Sequence, residues 1–220
     1  MTRAMTRPLP DRARRLLRAW GRQAERISPF RMSPGDPDLR LHVERYRFAC
    51  ERLRWDDVVL DAACGCGYGS ALLSRYCHMV VGIDNDPAVL EEAERRYGTV
   101  RTVYLEGNLD AVRLPRCDVA VSFATAEHLE RPWRFVTQLK ACARRVIYFS
   151  VPIVPTTGRN PFHLHDFTAA EVRGWFTGSG WQIVREIAQT DPRQGAGPCH
   201  LVLEVLRTEH PLEEQAYACA

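Results

Sequence analysis

Apolar residues follow two rhythms along this chain. Short runs rich in Val, Ile, Leu and Phe, with the length and content of buried strands, fall at 57–62, 78–84, 101–105, 117–123 and 145–151. Between them apolar positions recur every three or four residues, which predicts helices over 69–76, 87–97, 131–143 and 168–178. Pro87 and Pro132 mark two of the starts, since a first-turn residue has no intrahelical use for the N–H that proline lacks. Two last strands, GWQIVREIA (180–188) and PCHLVLEVL (198–206), are joined by the turn-rich QTDPRQGAG and no helix, which predicts a hairpin. Ahead of the first strand, Leu39, Val43, Tyr46, Cys50 and Leu53 lie at helical spacing and predict a helix ending near Arg54. Residues 28–38, SPFRMSPGDPD, read as a linker, and residues 11–27 as a basic amphipathic helix with Leu16, Leu17, Trp20 and Ile27 on its apolar side.

Strand and helix in alternation predict an α/β fold with a doubly wound, mostly parallel Rossmann-like sheet, to which the final hairpin adds an antiparallel strand. The expected organisation is an arginine-rich helix, linker and cap over 1–38, one domain over 39–208 and a tail over 209–220. Ligands in such sheets bind at the carboxyl ends of the strands, beside the point where strand order reverses.

Composition narrows the setting. At 220 residues, 45% hydrophobic and 26% charged, the chain has the material for one packed core. No window approaches a membrane span, and the start lacks the apolar centre of a secretory signal, so a cytoplasmic protein is expected. Eight cysteines are scattered without a CxxC pair and read as small hydrophobes in a reducing compartment. Residues 1–40 hold ten arginines against Asp11, Glu25, Asp36 and Asp38. Such an arm can meet nucleic acid, anionic lipid or an acidic partner. A solvated leader is favoured, because no aromatic stacking residues interleave with the arginines.

The chemistry begins at VVLDAACGCGYGS, residues 58–70. Alternating Gly65, Gly67 and Gly69 leave bare backbone where a strand turns into a helix, so a ligand can approach the main chain. The spacing excludes two common readings: Ser70 stands where a dinucleotide fingerprint needs its third glycine, and a P-loop's lysine is missing. Asp61, beside the turn, repels phosphate and suits an ammonium group. Asp84, ending the second strand, can accept from the two hydroxyls of a ribose. Asn108 and Leu109, after the third strand, offer an acceptor and an apolar surface for an adenine. Amino acid, ribose and adenine without a phosphate cradle describe S-adenosylmethionine.

With VVGIDNDP, YLEGNLDAVRLP, CDVAVSFATAEHLERP, VIYFSVP and NPFHLHDFT, that stretch resembles the class I S-adenosylmethionine-dependent methyltransferases over roughly residues 40–206. The resemblance implies strand order 3-2-1-4-5-7-6 with strand 7 antiparallel, S-adenosylmethionine as cofactor and S-adenosylhomocysteine as product. It places cofactor contacts at Asp61, Ala62, Cys64, Gly65, Gly67 and Tyr68, at Asp84 and Asn85, and at Asn108, Leu109, Ser122 and Phe123. The upstream ERYRFA resembles a segment that some relatives set against the methionine carboxylate, which adds Arg45 and Tyr46. Three features depart from the pattern: Cys66, Asn108 in place of the usual aspartate, and ACARRVIYFS, which lacks the usual proline-glycine-glycine turn and implies a shorter helix-to-strand link.

A sulfonium methyl is already activated, so the protein must align the acceptor and, for a hydroxyl or ammonium, remove a proton. Glu127 and His128 follow the fourth strand, and a histidine titrates near neutrality, so His128 is the expected base or orienting group, with Glu127 and His163 beside it. His163 and His165, two apart in NPFHLHDFT, would share a face of an extended segment and meet the substrate. This cluster also resembles, more faintly, small-RNA 2′-O-methyltransferases, which hold a divalent metal with a Glu-His pair and later histidines. Ala124 stands where those enzymes have a first glutamate, so no metal is expected here. Thr168 with Glu171 reads as a capping box for the next helix. The expected acceptor is a hydroxyl, less readily an amine, of a small molecule or sugar. RNA 2′-O-methylation or RNA binding through the basic arm is the alternative.

Overall fold

The computed structural model describes residues 26–33, 35–178, 180–191, 193 and 197–208. The predicted helix over 11–27 and the tail from 209 therefore lie almost wholly outside the described residues. Seven strands form one sheet: β1 (Val58–Ala62), β2 (Met79–Asp84), β3 (Thr102–Glu106), β4 (Cys117–Phe123), β5 (Ala143–Pro152), β6 (Trp181–Thr190) and β7 (Pro198–Arg207). Their order is β3-β2-β1-β4-β5-β7-β6, with β7 antiparallel to both neighbours and the rest parallel. This is the expected order. It reverses between β1 and β4, where both strands end at one edge and open a crevice.

Alternation along β1 decides what each face receives. Leu60 and Ala62 join a core with Phe135, Val136 and Leu139 of α4 (Pro132–Cys142) and Val172 and Phe176 of α5 (Ala169–Phe176). Val59 faces the other way, onto Tyr46, Phe48 and Ala49 of α1 (Pro37–Cys50) and Leu73 of α2 (Tyr68–Leu73). Burying each Val, Leu or Phe among these contributes about 1.5–3 kcal/mol, which the polar surfaces of these helices could not replace. Asp61 shares the Val59 face by the same period of two, and so lies under α1 and α2.

The elements sit within a few residues of expectation. The capping box holds at its first half: the Thr168 side chain accepts from Glu171 N at 3.2 Å. The missing turn has the effect expected of it, since α4 ends at Cys142 and β5 begins at Ala143. Residues 28–33, within the stretch expected as a linker, form no helix or strand and rest partly against the domain. Ser28 is buried, the Phe30 ring packs 6.0 Å from Tyr97 of α3 (Pro87–Tyr97), and Arg96 lies 3.8 Å over Phe30. Asp36 then caps α1, accepting from Asp38 N at 2.9 Å, so the helix starts at Pro37 and stops at Cys50. Proline and serine signal irregular backbone, and whether that backbone is solvated or packed depends on what folds against it. The seven described cysteines are free thiols, as expected.

Candidate active site

The turn after β1 gives each of its glycines a separate reason. Gly65 has φ +54 and no heavy atom within 4 Å of where a Cβ would stand, so its main chain is open to a ligand. At Gly67 a Cβ would lie 2.7 Å from both the Tyr104 hydroxyl and the Ala93 Cβ. At Gly69 it would fall 2.0 Å from Cζ of Tyr46. Of the three, Gly65 faces open space, while Gly67 and Gly69 make room for neighbouring side chains. Ala63 (φ 64), after β1, and Ala124 (φ 51), after β4, are also left-handed. Each costs about 1–2 kcal/mol, and both lie at the edge where the crevice opens.

Asp61 is 1% exposed, and both its oxygens accept: Oδ1 from the Tyr46 hydroxyl at 3.0 Å and Oδ2 from Ser70 Oγ at 2.6 Å. Ser70, which breaks the dinucleotide spacing, is the residue that holds this carboxylate. Asp84 accepts from Gly65 N at 3.0 Å and Asp86 N at 3.1 Å, and so clasps the turn to the tip of β2. Arg26 adds a bond to each neighbouring acid, 3.0 Å to Asp84 and 2.5 Å to Asp86. Asn85 is exposed beside them, while Asn108 is exposed with its Oδ1 accepting from Asp110 N at 3.0 Å, above buried Leu109. Open Gly65 backbone, flanked by the Asp61 and Asp84 carboxylates, fits a ligand bearing an ammonium group and a ribose.

One face of α1 supplies the next wall. Arg45 is buried, with Nε donating to Gln189 Oε1 at 2.7 Å, and Gln189 is fixed in turn by Leu41 O at 3.1 Å. Burial pulls the Arg45 pKa down to about 10 against the pull of Glu127. Tyr46 packs 5.1 Å from Phe123 and 5.7 Å from Tyr68, both edge-on. His42 bonds the Tyr68 hydroxyl, and burial, then Arg45 and His200, hold it well below the ordinary histidine value, so it stays neutral. His42 escaped the sequence reading, although it sits three and four residues before Arg45 and Tyr46 on one helical face. Cys64 lies beneath the turn, its N–H on Ile83 O at 3.0 Å, and its sulfur would meet a Cβ on Gly82 at 2.9 Å.

Beyond β4, Ser122 is fully buried with its hydroxyl unbonded, and a 3-10 turn (Ala126–His128) carries Glu127 and His128. Glu127 is 1% exposed, and burial raises its pKa despite His128, His163 and Arg45. Leu164 N donates to Glu127 O at 2.7 Å and sets the 160s loop against this turn. As a result the His128 and His163 rings meet edge-to-face at 4.6 Å. His165 does not join them: its Nε2 bonds Leu129 O at 2.9 Å and its ring stacks on Phe167. The expected shared face fails because the segment is pinned at residue 164 rather than running straight. Asp166 turns back to Thr156 and Thr157, accepting from their N–H groups at 2.6 and 3.0 Å.

A family described as a methyltransferase domain matches residues 60–146, the stretch that builds this edge. A protein of Mycolicibacterium smegmatis named "Probable S-adenosylmethionine-dependent methyltransferase" is 30% identical over 198 residues, covering 82% of this chain and 76% of that one. A similarly named Mycobacterium tuberculosis protein is 31% identical over 156 residues, covering 65% of this chain and 55% of its own length. Among solved structures, magnesium protoporphyrin IX methyltransferase from Synechocystis PCC 6803 with bound SAM shares the fold at TM-score 0.67 and 18% identity, covering 92% of this chain and 100% of that one. Crevice, sequence and fold agree, and the chain belongs to the S-adenosylmethionine-dependent methyltransferases.

Proposed function

We propose that this protein transfers a methyl group to a hydroxyl, and second to an amine, of a small molecule or sugar. The cofactor, when bound, supplies the activated methyl. The chain's own residues position it: Asp61, Arg45 and Tyr46 with the Gly65 main chain at the methionine end, Asp84 and Asn85 at the ribose, and Asn108 with Leu109 at the adenine. Ala62, Cys64, Gly67, Tyr68, Ser122 and Phe123 shape the space between these groups.

The observation that carries the acceptor reading is the corner of Glu127, His128 and His163 just past the tip of β4. A hydroxyl acceptor needs a group that takes or holds its proton, and a neutral thioether or carbanion would not. His128 is the first choice for that role. The magnesium protoporphyrin IX methyltransferase, a similar fold whose named acceptor is a small molecule, supports the substrate class. The RNA alternative rests on the basic arm, nearly all of which lies outside the described residues.

The test pairs labelled S-adenosylmethionine with sugar, phenol and amine acceptors and with RNA. Transfer to small hydroxyls is expected, and His128→Ala should lower kcat/KM by at least about 100-fold with cofactor affinity unchanged. Near-full turnover in that variant ends the base role. Transfer to RNA alone, with salt-sensitive retention, overturns the substrate class.

A further inference from the structure

One carboxylate oxygen of Glu127 and one ring nitrogen each of His128 and His163 lie within 4.8 Å of one another. Glu127 is 1% exposed, and among the described residues its Oε2 accepts no hydrogen bond. A buried carboxylate oxygen without a donor is costly, and a cation beside it removes that cost.

The partners behind the rings favour one tautomer of each. His128 Nδ1 lies 3.2 Å from Phe162 O, a carbonyl that can only accept, so this nitrogen carries the proton. His163 Nδ1 lies 2.6 Å from Thr156 Oγ1, and that hydroxyl donates to Asp166 at 3.3 Å. Asp166 stays an ionised acceptor, held down to about 2 by the Thr156 N–H, the Thr157 hydroxyl and the Thr157 N–H. With that hydrogen on Asp166, Thr156 Oγ1 is the acceptor and His163 donates from Nδ1. In these tautomers Nε2 is the basic atom of each ring. Two imidazoles tethered through Nδ1 to oxygen acceptors, and one carboxylate, are the arrangement in which imidazoles are oriented onto a metal.

We propose that Glu127, His128 and His163 bind a divalent transition ion of the zinc class. Two imidazole nitrogens and a carboxylate suit zinc, cobalt or iron better than magnesium or calcium, whose preferred ligands are all oxygen. Ala124, which led the sequence reading to expect no metal, removes a fourth protein ligand, but three protein ligands with an open position are the form of a catalytic site. The ion deepens the reading of this corner as the acceptor's site: an acceptor oxygen would take the open position and release its proton more readily to solvent water, so His128 would act on that proton through the ion it holds.

The full chain is stripped with chelator, dialysed and titrated with zinc chloride alone and cobalt chloride alone. Zinc is counted by elemental analysis and cobalt followed by its visible d–d bands. One ion per chain is expected. His163→Ala and Glu127→Gln should abolish retention, and Thr156→Val should weaken it by about 10- to 100-fold. His78→Ala, at an exposed position outside the crevice, should not change it. Folding of every variant is checked by thermal melting, and Thr156→Val carries the test if a ligand variant does not fold. Folded wild-type protein that holds no ion, or His163→Ala that holds it as tightly as wild type, overturns the proposal. Metal content needs no acceptor, so its failure leaves the hydroxyl reading standing, and failure of the acceptor assays leaves the ion site standing.

Discussion

Burial pushes the Asp61 carboxyl from 3.8 up to about 6, although Ser70 and Tyr46 donate to it. The folded pKa is raised, so the stability Asp61 contributes is complete below about pH 4 and is lost as pH rises through about 6. The shift corresponds to about 3 kcal/mol. Asp61→Asn cannot ionise, so wild type should lose melting temperature relative to this variant between about pH 4 and 6 and run parallel to it above. Curves that stay parallel throughout would reject this account. The carboxylate itself was legible, because a charged residue ending an apolar strand is conspicuous. Its partners were not. Tyr46 lies 15 positions away, and only the crossing of α1 over β1 brings them together.

At the scale of elements, the β1–α2 turn makes two chemically identical substitutions differ. Gly69→Ala drives a methyl into the Tyr46 ring, and overpacking of this kind costs about 1–3 kcal/mol or more. It should lower the melting temperature and disturb Asp61 through Tyr46. Gly65→Ala meets open space and pays only for its left-handed backbone, about 1–2 kcal/mol. It should stay folded and lose cofactor affinity, as read by calorimetry. If Gly65→Ala unfolds while Gly69→Ala binds normally, the division of roles is wrong. The motif spacing revealed a turn that needs glycine but not which glycine faces a ligand, since Tyr46, Ala93 and Tyr104 arrive from three other elements. The α4–β5 junction was fully legible, because the length of a link is a local property of the chain.

Across the whole molecule, the segment before α1 returns over the crevice and seats Arg26 on Asp84, the carboxylate proposed for the ribose. Arg26 and the ribose hydroxyls compete for one acceptor. Arg26→Ala should tighten cofactor binding by about 2- to 5-fold, the worth of a partly exposed ion pair, and added salt should tighten wild type but not the variant. Weaker binding in the variant would show instead that the arginine grips the cofactor. The order of elements, the parallel sheet with its antiparallel strand and the acids at the strand tips follow from the sequence alone, because periodicity and turn chemistry act over a few neighbouring residues. Tertiary structure alone decided that Ser70 holds Asp61, that Arg26 covers Asp84, and that His163 meets His128 while His165 turns away. Each of those contacts depends on where a distant backbone comes to rest, and no local pattern encodes that.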